Sequence, residues 1–441
     1  MDDNILSQKW GAGSLLRFAL PSMAMMVFMG LYTLVDTIFA ARFVNTDALS
    51  AINIVCPVTN VTVGLGTMLA AGGNAVVSRR MGEGKSQESK EDFTLLILTG
   101  LAIGFFILIT GMIWADQLIG ALGASRRLFP YCRGYLLTLL WFMPANVLQT
   151  LFSNLFAAAG KPGLGFALSI LGGAANIILD YVFIVLCGLG VAGAALGTGF
   201  GCLIPAAAGL AYFARGKGAL CFTRPRFKWA VIRQSCLNGS SEMVSQLAAA
   251  VTTFLFNKAM MELLGENGVA AITILIYTQF LLSALYVGYS IGVAPVIGFS
   301  FGSGDHVQQK TVFRISIGFI AASSVSMFLL SLFGGPYIAR LFAGGALEVC
   351  QIAAEGFAVF SFSFLFCGLN IFTSALFTAL SNGKVSAALS FLRTFGLLAG
   401  GILLLPRFWG AAGVWMAVPL AEGVMFFISI ACLVYFCRRY T

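Results

Sequence analysis

Charged residues are scarce in this chain. Of its 441 residues only 10% are Asp, Glu, Lys or Arg, whereas a soluble globular domain carries about 25%. Hydrophobic residues make up 59%, and the mean hydropathy is +0.93. No fold of this length hides so much apolar side chain from water, so soluble, disordered and coiled-coil proteins are excluded. The formal charge of +9 does not indicate a nucleic-acid partner, because basic residues of a membrane protein gather in the loops between its spans.

Residues that carry catalytic or cofactor chemistry are equally scarce. The chain has one histidine, His306, and none of its ten cysteines forms a C-x-x-C pair, so the sequence predicts no metal site and no disulfides. It also lacks the ATP-binding motif G-x-x-x-x-G-K-[ST], and no cofactor is expected. Gly188–Gly193 formally matches G-x-G-x-x-G, but it follows an apolar run rather than a strand. Gly193, Gly197 and Gly201 give consecutive G-x-x-x-G spacings, which predict close helix packing instead.

Long apolar runs dominate the chain. A helix needs about 20 apolar residues to cross a bilayer, and twelve segments meet that requirement. Their approximate ranges are 14–37, 50–77, 93–115, 130–158, 163–187, 191–214, 239–264, 268–299, 310–334, 350–380, 384–405 and 409–436. The sequence therefore predicts an all-α integral membrane protein with twelve transmembrane helices.

Basic residues indicate how the chain is oriented. With the N-terminus inside, nineteen Lys and Arg fall on the inner side and seven on the outer side. Cytoplasmic loops carry such an excess, so we expect both termini in the cytoplasm and the chain in the cell membrane. The longest stretch without a span, residues 214–238, is predicted to be a cytoplasmic linker. It divides residues 1–213, with spans one to six, from residues 239–441, with spans seven to twelve.

The two halves repeat each other. Gly72 and Gly82 recur as Gly292 and Gly302, each 220 residues later. Each half holds six spans, an even number, so both halves enter the membrane from the same side. We therefore expect two pseudo-symmetric six-helix bundles around a central cavity, which is a common transporter architecture. Without an ATP site, the energy for transport comes from an ion gradient or from the gradient of the substrate.

Polar side chains inside the spans are the sharpest functional signal. An ionisable group costs roughly 2.5–3.5 kcal/mol at a helix centre, so it usually faces a cavity and has a function. Asp36 ends an uncharged run in the first span, and Asn176 and Asp180 share one face of the fifth. Their oxygens suit a small cation, and two nearby carboxylates favour proton uptake; the alternative is structural pairing or capping. Pro21 predicts a kink in the first span, either a hinge that moves Asp36 or a static bend.

The second half offers three acidic candidates, Glu242, Glu355 and Glu422. Glu242 fits the first turn of a helix, where an acidic residue is favoured, or it lines the cavity of the second half. Glu355 and Glu422 either line that cavity or lie near an interface. Arg393 is expected to pair with an acid or to extend toward the interface, rather than to bind substrate.

Several motifs recur together along the chain. They are Pro21 fifteen residues before Asp36, Ser78–Lys85 and its partner Gly298–Asp305, Asn154 before Gly160-Lys161-Pro162, and Asn176-x-x-x-Asp180 followed by Gly190–Thr198. This combination resembles the MATE family (multidrug and toxic compound extrusion) over nearly the whole chain. The resemblance implies twelve helices in two lobes around a V-shaped cavity. It also implies export of amphipathic, mostly cationic organic compounds in exchange for sodium ions or protons.

The resemblance further implies a functional site in the first lobe. The coupling residues would be Asp36, Asn176, Asp180 and Thr198. Apart from the resemblance, Tyr32 and Met29 lie about one and two helical turns before Asp36, so we expect them to line the substrate cavity with Asn154 and the two aspartates. Some members carry an acidic coupling site in the second lobe, but the position paired with Asp36 is Phe256 here. Glu242, Glu355 and Glu422 stay candidates for such a site.

The expected mechanism is exchange between a cation and a drug. A cation or proton binds at Asp36 and Asp180 from outside, neutralises them, and releases the drug through a change at Pro21. Exchange requires that ion and substrate favour different states. The expected partners are small organic cations and the lipid bilayer, without nucleic acid, and a monomer is expected because one chain supplies both lobes.

Two other functions compete with drug export. A lipid-linked glycan or metabolite flippase of related architecture would need several basic residues in the cavity to bind pyrophosphate. Spans one, two, five, seven and eight contain only Arg17 and Lys258, near their ends. An intramembrane enzyme is disfavoured, because His306 falls in a predicted loop with no nucleophile beside it.

Overall fold

Almost all of the chain is helical. The computed structural model describes residues 5–43, 46–216, 218–342 and 346–440, excluding the side chains of residues 34–43, 46, 49 and 436–440. No β-strand occurs in these ranges. The α-helices are α1 (Ala12–Phe43), α2 (Thr46–Gly82), α3 (Ser86–Ile113), α4 (Ala115–Ala121), α5 (Phe129–Leu140), α6 (Met143–Ala158), α7 (Pro162–Asp180), α8 (Gly190–Ala214), α9 (Trp229–Ser303), α10 (His306–Phe342), α11 (Leu347–Phe360), α12 (Phe364–Ala379), α13 (Gly383–Phe391), α14 (Gly400–Leu404) and α15 (Pro406–Tyr440). Two π-helical turns, Tyr181–Leu186 and Leu392–Ala399, follow α7 and α13.

Twelve spans emerge from these helices. The backbone of α9 is broken at Gly265, whose φ of 63° favours glycine, and the break separates two arms, residues 229–264 and 266–303. Conversely, α5 and α6 meet at a bend of 56° and form one span, and Leu347–Ala379 and Gly383–Leu404 are each one span. Counted this way, the described residues contain the twelve predicted spans in the predicted order. The predicted all-helical membrane fold is confirmed. Below, α1–α8 are called the N-lobe and α9–α15 the C-lobe.

The segment between the lobes is shorter than the predicted linker. Residues 229–238 belong to α9, and the non-helical stretch lies before Trp229. The backbone N–H of Thr223 donates to Thr94 Oγ1 at 3.1 Å, and Lys228 Nζ lies 3.7 Å from a carboxylate oxygen of Glu91. These contacts hold the segment against the first turns of α3.

The contacts between the lobes obey a two-fold pseudo-symmetry. A Cβ placed on Gly72 would overlap the carbonyl oxygen of Ser235 and lie 2.7 Å from the nitrogen of Gly239. A Cβ placed on Gly292 would lie 2.9 Å from Cα of Ala19. The pair 72 and 239 is related to the pair 292 and 19 by the same offset of 220 residues that relates the sequence repeats. The α2 helix therefore packs on the first arm of α9 as the second arm of α9 packs on α1.

The same symmetry holds at the ends of the repeated glycine motifs. A Cβ on Gly82 would overlap the carbonyl oxygen of Phe299, and a Cβ on Gly302 would overlap that of Arg79. The lobes are thus in backbone contact at the end of the molecule where α2 ends and α3 begins, here called the α2–α3 end. Farther from that end, Cβ atoms on Gly30 and Gly64 would lie 3.3 Å from Leu281 Cδ1 and 3.5 Å from Gln246 Cβ of the other lobe.

Candidate functional site

The principal candidate site lies where α7 meets α8 in the N-lobe. Asn176 and Asp180 lie one turn apart on α7, and only 0% and 3% of their surfaces are exposed. Burial of an amide and a carboxyl group is costly unless both groups have hydrogen-bond partners or a bound ion. The burial of these two polar side chains therefore requires partners or a ligand that offset its cost.

Glycines on α8 make room for the two polar side chains. A Cβ on Gly197 would overlap Asp180 Oδ1, and a Cβ on Gly201 would lie 2.8 Å from Asn176 Cβ. Gly193 lies one turn earlier, where a Cβ would be 3.0 Å from the carbonyl of Phe183. The G-x-x-x-G spacing thus allows α8 to approach α7 closely, and the polar side chains occupy the space that glycine leaves.

The α1 helix closes the third side of this site. A Cβ on Gly173, one turn before Asn176, would lie 2.9 Å from Phe28 Cε1 and 3.5 Å from Tyr32 Cδ2. Tyr32 is half-buried and lies beside the face of α7 that carries the polar pair. Asp36 follows Tyr32 by one turn on α1, but its side chain lies outside the described residues.

The chemistry of the pair is that of a small oxygen-ligand site. Neither Oδ1 nor Nδ2 of Asn176 hydrogen-bonds to a described residue, and Asp180 Oδ1 is buried beside Gly197. A buried amide without partners is rare in native structures, so an ion or water is the expected ligand. Carboxylate and amide oxygens are ligands for small hard cations, and the carboxylate alone also takes a proton. The π-helical turn that begins directly after Asp180 is a feature frequent at functional sites.

The other predicted residues of the N-lobe are Thr198, Asn154 and Met29. Thr198 is half-buried next to Gly197, and Asn154 is buried on α6, where its Nδ2 donates to the Thr150 carbonyl at 3.2 Å. Met29 is half-buried on α1. No hydrogen bond among the described residues joins these three side chains to Asn176. The α1 helix runs through Pro21, whose missing N–H removes one backbone hydrogen bond from its ladder.

A second buried polar cluster lies in the C-lobe. Arg393 donates from Nε and Nη2 to Glu422 Oε1 at 2.8 and 2.7 Å, so the expected pairing of this arginine is confirmed. Glu422 Oε2 accepts from Asn370 Nδ2 at 2.7 Å, and Asn370 Oδ1 accepts from Ser429 Oγ at 2.8 Å. Both carboxylate oxygens are therefore compensated within the protein. Asn370 and Ser429 were not predicted from the sequence, because neither side chain is ionisable. The amide of Asn370 within an apolar run is the signal that could have indicated it.

The other two acidic candidates of the C-lobe, Glu242 and Glu355, take no part in the ion pair between Arg393 and Glu422. Glu242 lies well inside α9, so the expectation that it opens a helix is wrong. The reason is that residues after Trp229 already form helical turns that continue into the span. Glu242 is half-buried and forms no ion pair with a described residue, although Arg393 is close enough to interact electrostatically. Glu355 is exposed on α11.

Breaking the C-lobe ion pair is expected to destabilise the protein. Arg393→Met leaves the Glu422 carboxylate buried without its counter-charge, which typically costs about 3–5 kcal/mol. The double variant Arg393→Met with Glu422→Gln should recover most of the loss, because no charge then remains buried. Thermal unfolding in detergent measures both effects.

A matched control for this experiment is Arg133→Met. Arg133 pairs with Asp116 at 2.9 Å, but both side chains are more than half exposed, so the loss should stay within about 1 kcal/mol. Equal unfolding temperatures for Arg393→Met and Arg133→Met would contradict a structural role for the buried pair.

Comparison with known proteins identifies the family. A family model described as MatE matches residues 21–182 and again residues 243–399, once in each lobe. The chain belongs to the MATE family. Membership makes the protein a multi-pass membrane transporter rather than an enzyme.

Individual relatives of this MATE protein match along nearly its whole length. The multidrug export protein MepA of Staphylococcus haemolyticus is 24% identical over 425 residues, which cover 95% of this chain and 92% of the relative. A crystal structure of MATE in complex with MaL6 has a TM-score of 0.93 at 20% identity and covers 100% of this chain and 99% of its own. An outward-facing conformation of a multidrug resistance MATE family transporter has a TM-score of 0.90 at 21% identity, with 98% and 96% covered. At these identities the two structures establish the shared fold.

Proposed function

We propose that this MATE protein is a cation-coupled antiporter that exports amphipathic, mostly cationic organic compounds in exchange for Na⁺ or H⁺. The observation that carries the proposal is the buried pair Asn176 and Asp180, with an amide that has no hydrogen-bond partner among the described residues. The printed name of the staphylococcal relative, a multidrug export protein, supports the substrate class. In the proposal, Asp36 and Thr198 complete the coupling site, and Met29, Tyr32 and Asn154 contribute to the substrate cavity.

Coupling follows from the charge of the buried carboxylate. In its ionised form Asp180 attracts a cation, whether the coupling ion or a cationic drug, because both gain the same electrostatic stabilisation in a low-dielectric site. Binding of Na⁺ or H⁺ removes that attraction and so lowers the affinity for the drug. Exchange results because each ligand binds one state of the same site at the expense of the other.

In the proposed orientation this conformation is closed toward the cytoplasm. The excess of Lys and Arg supports an orientation with the α2–α3 end and both termini in the cytoplasm and with the chain in the plasma membrane. Backbone contacts at Gly82 and Gly302 close the lobes at that end. One chain supplies both lobes, so a monomer suffices for transport.

The acidic candidates of the C-lobe differ in how well they suit a coupling site. Glu422 is neutralised by Arg393, which gives it no need for an exchangeable cation. Glu242 is the stronger candidate of the three acids, because it is half-buried and forms no ion pair with a described residue. A flippase for lipid-linked glycans is disfavoured, since Arg393, which is half-buried, is engaged with Glu422 and is not available to bind pyrophosphate.

Transport of a fluorescent cation by the purified protein tests the proposal. The full chain is reconstituted into proteoliposomes, and ethidium movement is followed under an imposed Na⁺ gradient and, separately, an imposed H⁺ gradient. Uphill ethidium movement under one of the gradients is expected, and it names the coupling ion. Ethidium movement that is unchanged by either gradient would overturn the antiport proposal.

A further inference from the structure

A large apolar cavity lies in the C-lobe, away from the contact between the lobes. It has a volume of about 720 Å³ and lies between α10, α12 and α15. Its walls include Phe313, Ile317, Leu365, Leu369, Phe426 and Ile430, and the polar residue among those that line it is Ser324. This cavity is called the α10–α15 crevice below. Its volume falls within the range of pockets that hold small molecules, about 300–1,000 Å³.

The α10–α15 crevice opens toward the lipid. Val325, Ile430 and Val434, which line it, are 50%, 37% and 46% exposed. All three lie in helices long and apolar enough to span the membrane. A hydrocarbon chain from the bilayer therefore reaches the crevice without crossing a polar surface, and apolar burial is the gain it makes there.

One end of the crevice is basic. Lys310 and Arg314 lie on α10 one turn before Phe313 and Ile317, respectively, so the i, i+3 spacing places them on the helix face that lines the crevice. Both are exposed, and neither forms an ion pair with a described residue. The nearest acid along the chain, Asp305, accepts a hydrogen bond from the backbone N–H of Gln308 at 2.9 Å. The start of α10 adds its own positive dipole at this end.

We propose that the α10–α15 crevice binds an anionic phospholipid, with an acyl chain in the crevice and the phosphate against Lys310 and Arg314. Apolar walls and a basic mouth match the two parts of such a lipid. A cationic drug gains nothing from this mouth, since both basic groups repel it. A zwitterionic lipid fills the apolar part equally well but carries no net negative charge for the two basic groups.

Native mass spectrometry of the full chain tests the headgroup contact. The protein in detergent is mixed with phosphatidylglycerol or with phosphatidylcholine of the same acyl chains, and retained lipid is counted. Wild type should retain phosphatidylglycerol preferentially. Lys310→Gln and Arg314→Gln should each weaken retention about fivefold, the size expected for one basic residue near an anionic surface. Arg340→Gln, an exposed arginine near the other end of α10, is the control and should change nothing.

A second pair of variants tests the acyl-chain contact without altering charge. Ala321 lines the crevice, whereas its exposed neighbour Ala322 does not. Ala321→Trp should fill the crevice and abolish retention of phosphatidylglycerol, while Ala322→Trp should leave retention unchanged. Equal retention of the two lipids by wild type would overturn the proposal, as would equal retention by the two tryptophan variants. Glycerol phosphate, which lacks acyl chains, should not compete; competition would reduce the site to a free phosphate site.

Discussion

Asp180→Asn is expected to abolish gradient-driven export of ethidium while leaving the protein folded. The substitution keeps the shape of a side chain that fits against Gly197 with no spare space, and it removes the negative charge. The proposed coupling ion then has an amide instead of a carboxylate to bind, and a proton has no group to bind. Affinity for the ion should fall at least about tenfold, which corresponds to about 1.4 kcal/mol. The predicted coupling role of Asp36 leads to the same expectation for Asp36→Asn.

The same substitution at an exposed position provides the control. Asp116→Asn removes a carboxylate that is more than half exposed and pairs with Arg133, so it should transport as wild type does. Uptake of ethidium into inverted proteoliposomes measures activity, and unfolding temperature as a function of Na⁺ concentration and of pH measures ion binding. Export at the wild-type rate by Asp180→Asn would exclude this carboxylate from coupling.

A substitution beside Asp180 that displaces its side chain should impair coupling as well. Gly197→Ala retains the carboxyl group of Asp180, but its methyl group would overlap Asp180 Oδ1. The side chain must rotate or α8 must retreat, so coupling should be impaired nearly as strongly as in Asp180→Asn. Gly163→Ala, on α7 in open space, is the matched control and should be neutral.

The membrane fold was predictable from the sequence because the bilayer imposes a simple length rule. All twelve apolar segments correspond to spans, and even the broken ones, such as the bent span that contains α5 and α6, keep their order. The repeat offset of 220 residues was also readable, and it relates contacts such as Gly72 with Gly239 and Gly292 with Ala19. Backbone symmetry thus follows from sequence symmetry.

Side-chain pairing was less predictable, because it depends on how distant helices meet. Sequence spacing places Asn176 beside Asp180, since both lie on one helix. It does not reveal that Glu422 meets Arg393 and Asn370, which come from three different helical segments. The same limit explains Glu242, where a local helix-start pattern was overridden by turns that begin at Trp229.

Alanine at either glycine of the α2–α9 contact is expected to prevent tight closure of the α2–α3 end. A methyl group on Gly72 would overlap the Ser235 carbonyl, and one on Gly239 would overlap the Met68 carbonyl. Backbone atoms of two membrane helices do not rotate away as a flexible side chain does, so the helices must separate. Such overpacking typically costs about 1–3 kcal/mol. That cost falls on the closed end, because the overlapping atoms belong to different lobes.

A cost of this size changes the populations of two conformations substantially. About 1–3 kcal/mol corresponds to a factor of roughly 5–150 against the conformation closed at this end. Since alternating access needs both conformations, ethidium transport should fall by a similar factor. Hydrogen exchange of the backbone near residues 68–82 and 235–246 should rise at the same time, because that interface opens more often.

Two further variants test whether the effect is specific to the contact between the lobes: one at the symmetry-related glycine and one at a glycine without close neighbours. Gly292→Ala should behave like Gly72→Ala, because its methyl group would meet the backbone of α1 at Ala19 in the symmetry-related contact. Gly318→Ala, inside α10 with no neighbour within 4 Å, should keep full transport and gain up to about 1 kcal/mol of helix stability. If Gly72→Ala and Gly318→Ala transport equally, backbone contact at the α2–α3 end is not required for the cycle. If only one of the two symmetry-related variants is impaired, the lobes do not contribute equally to closure.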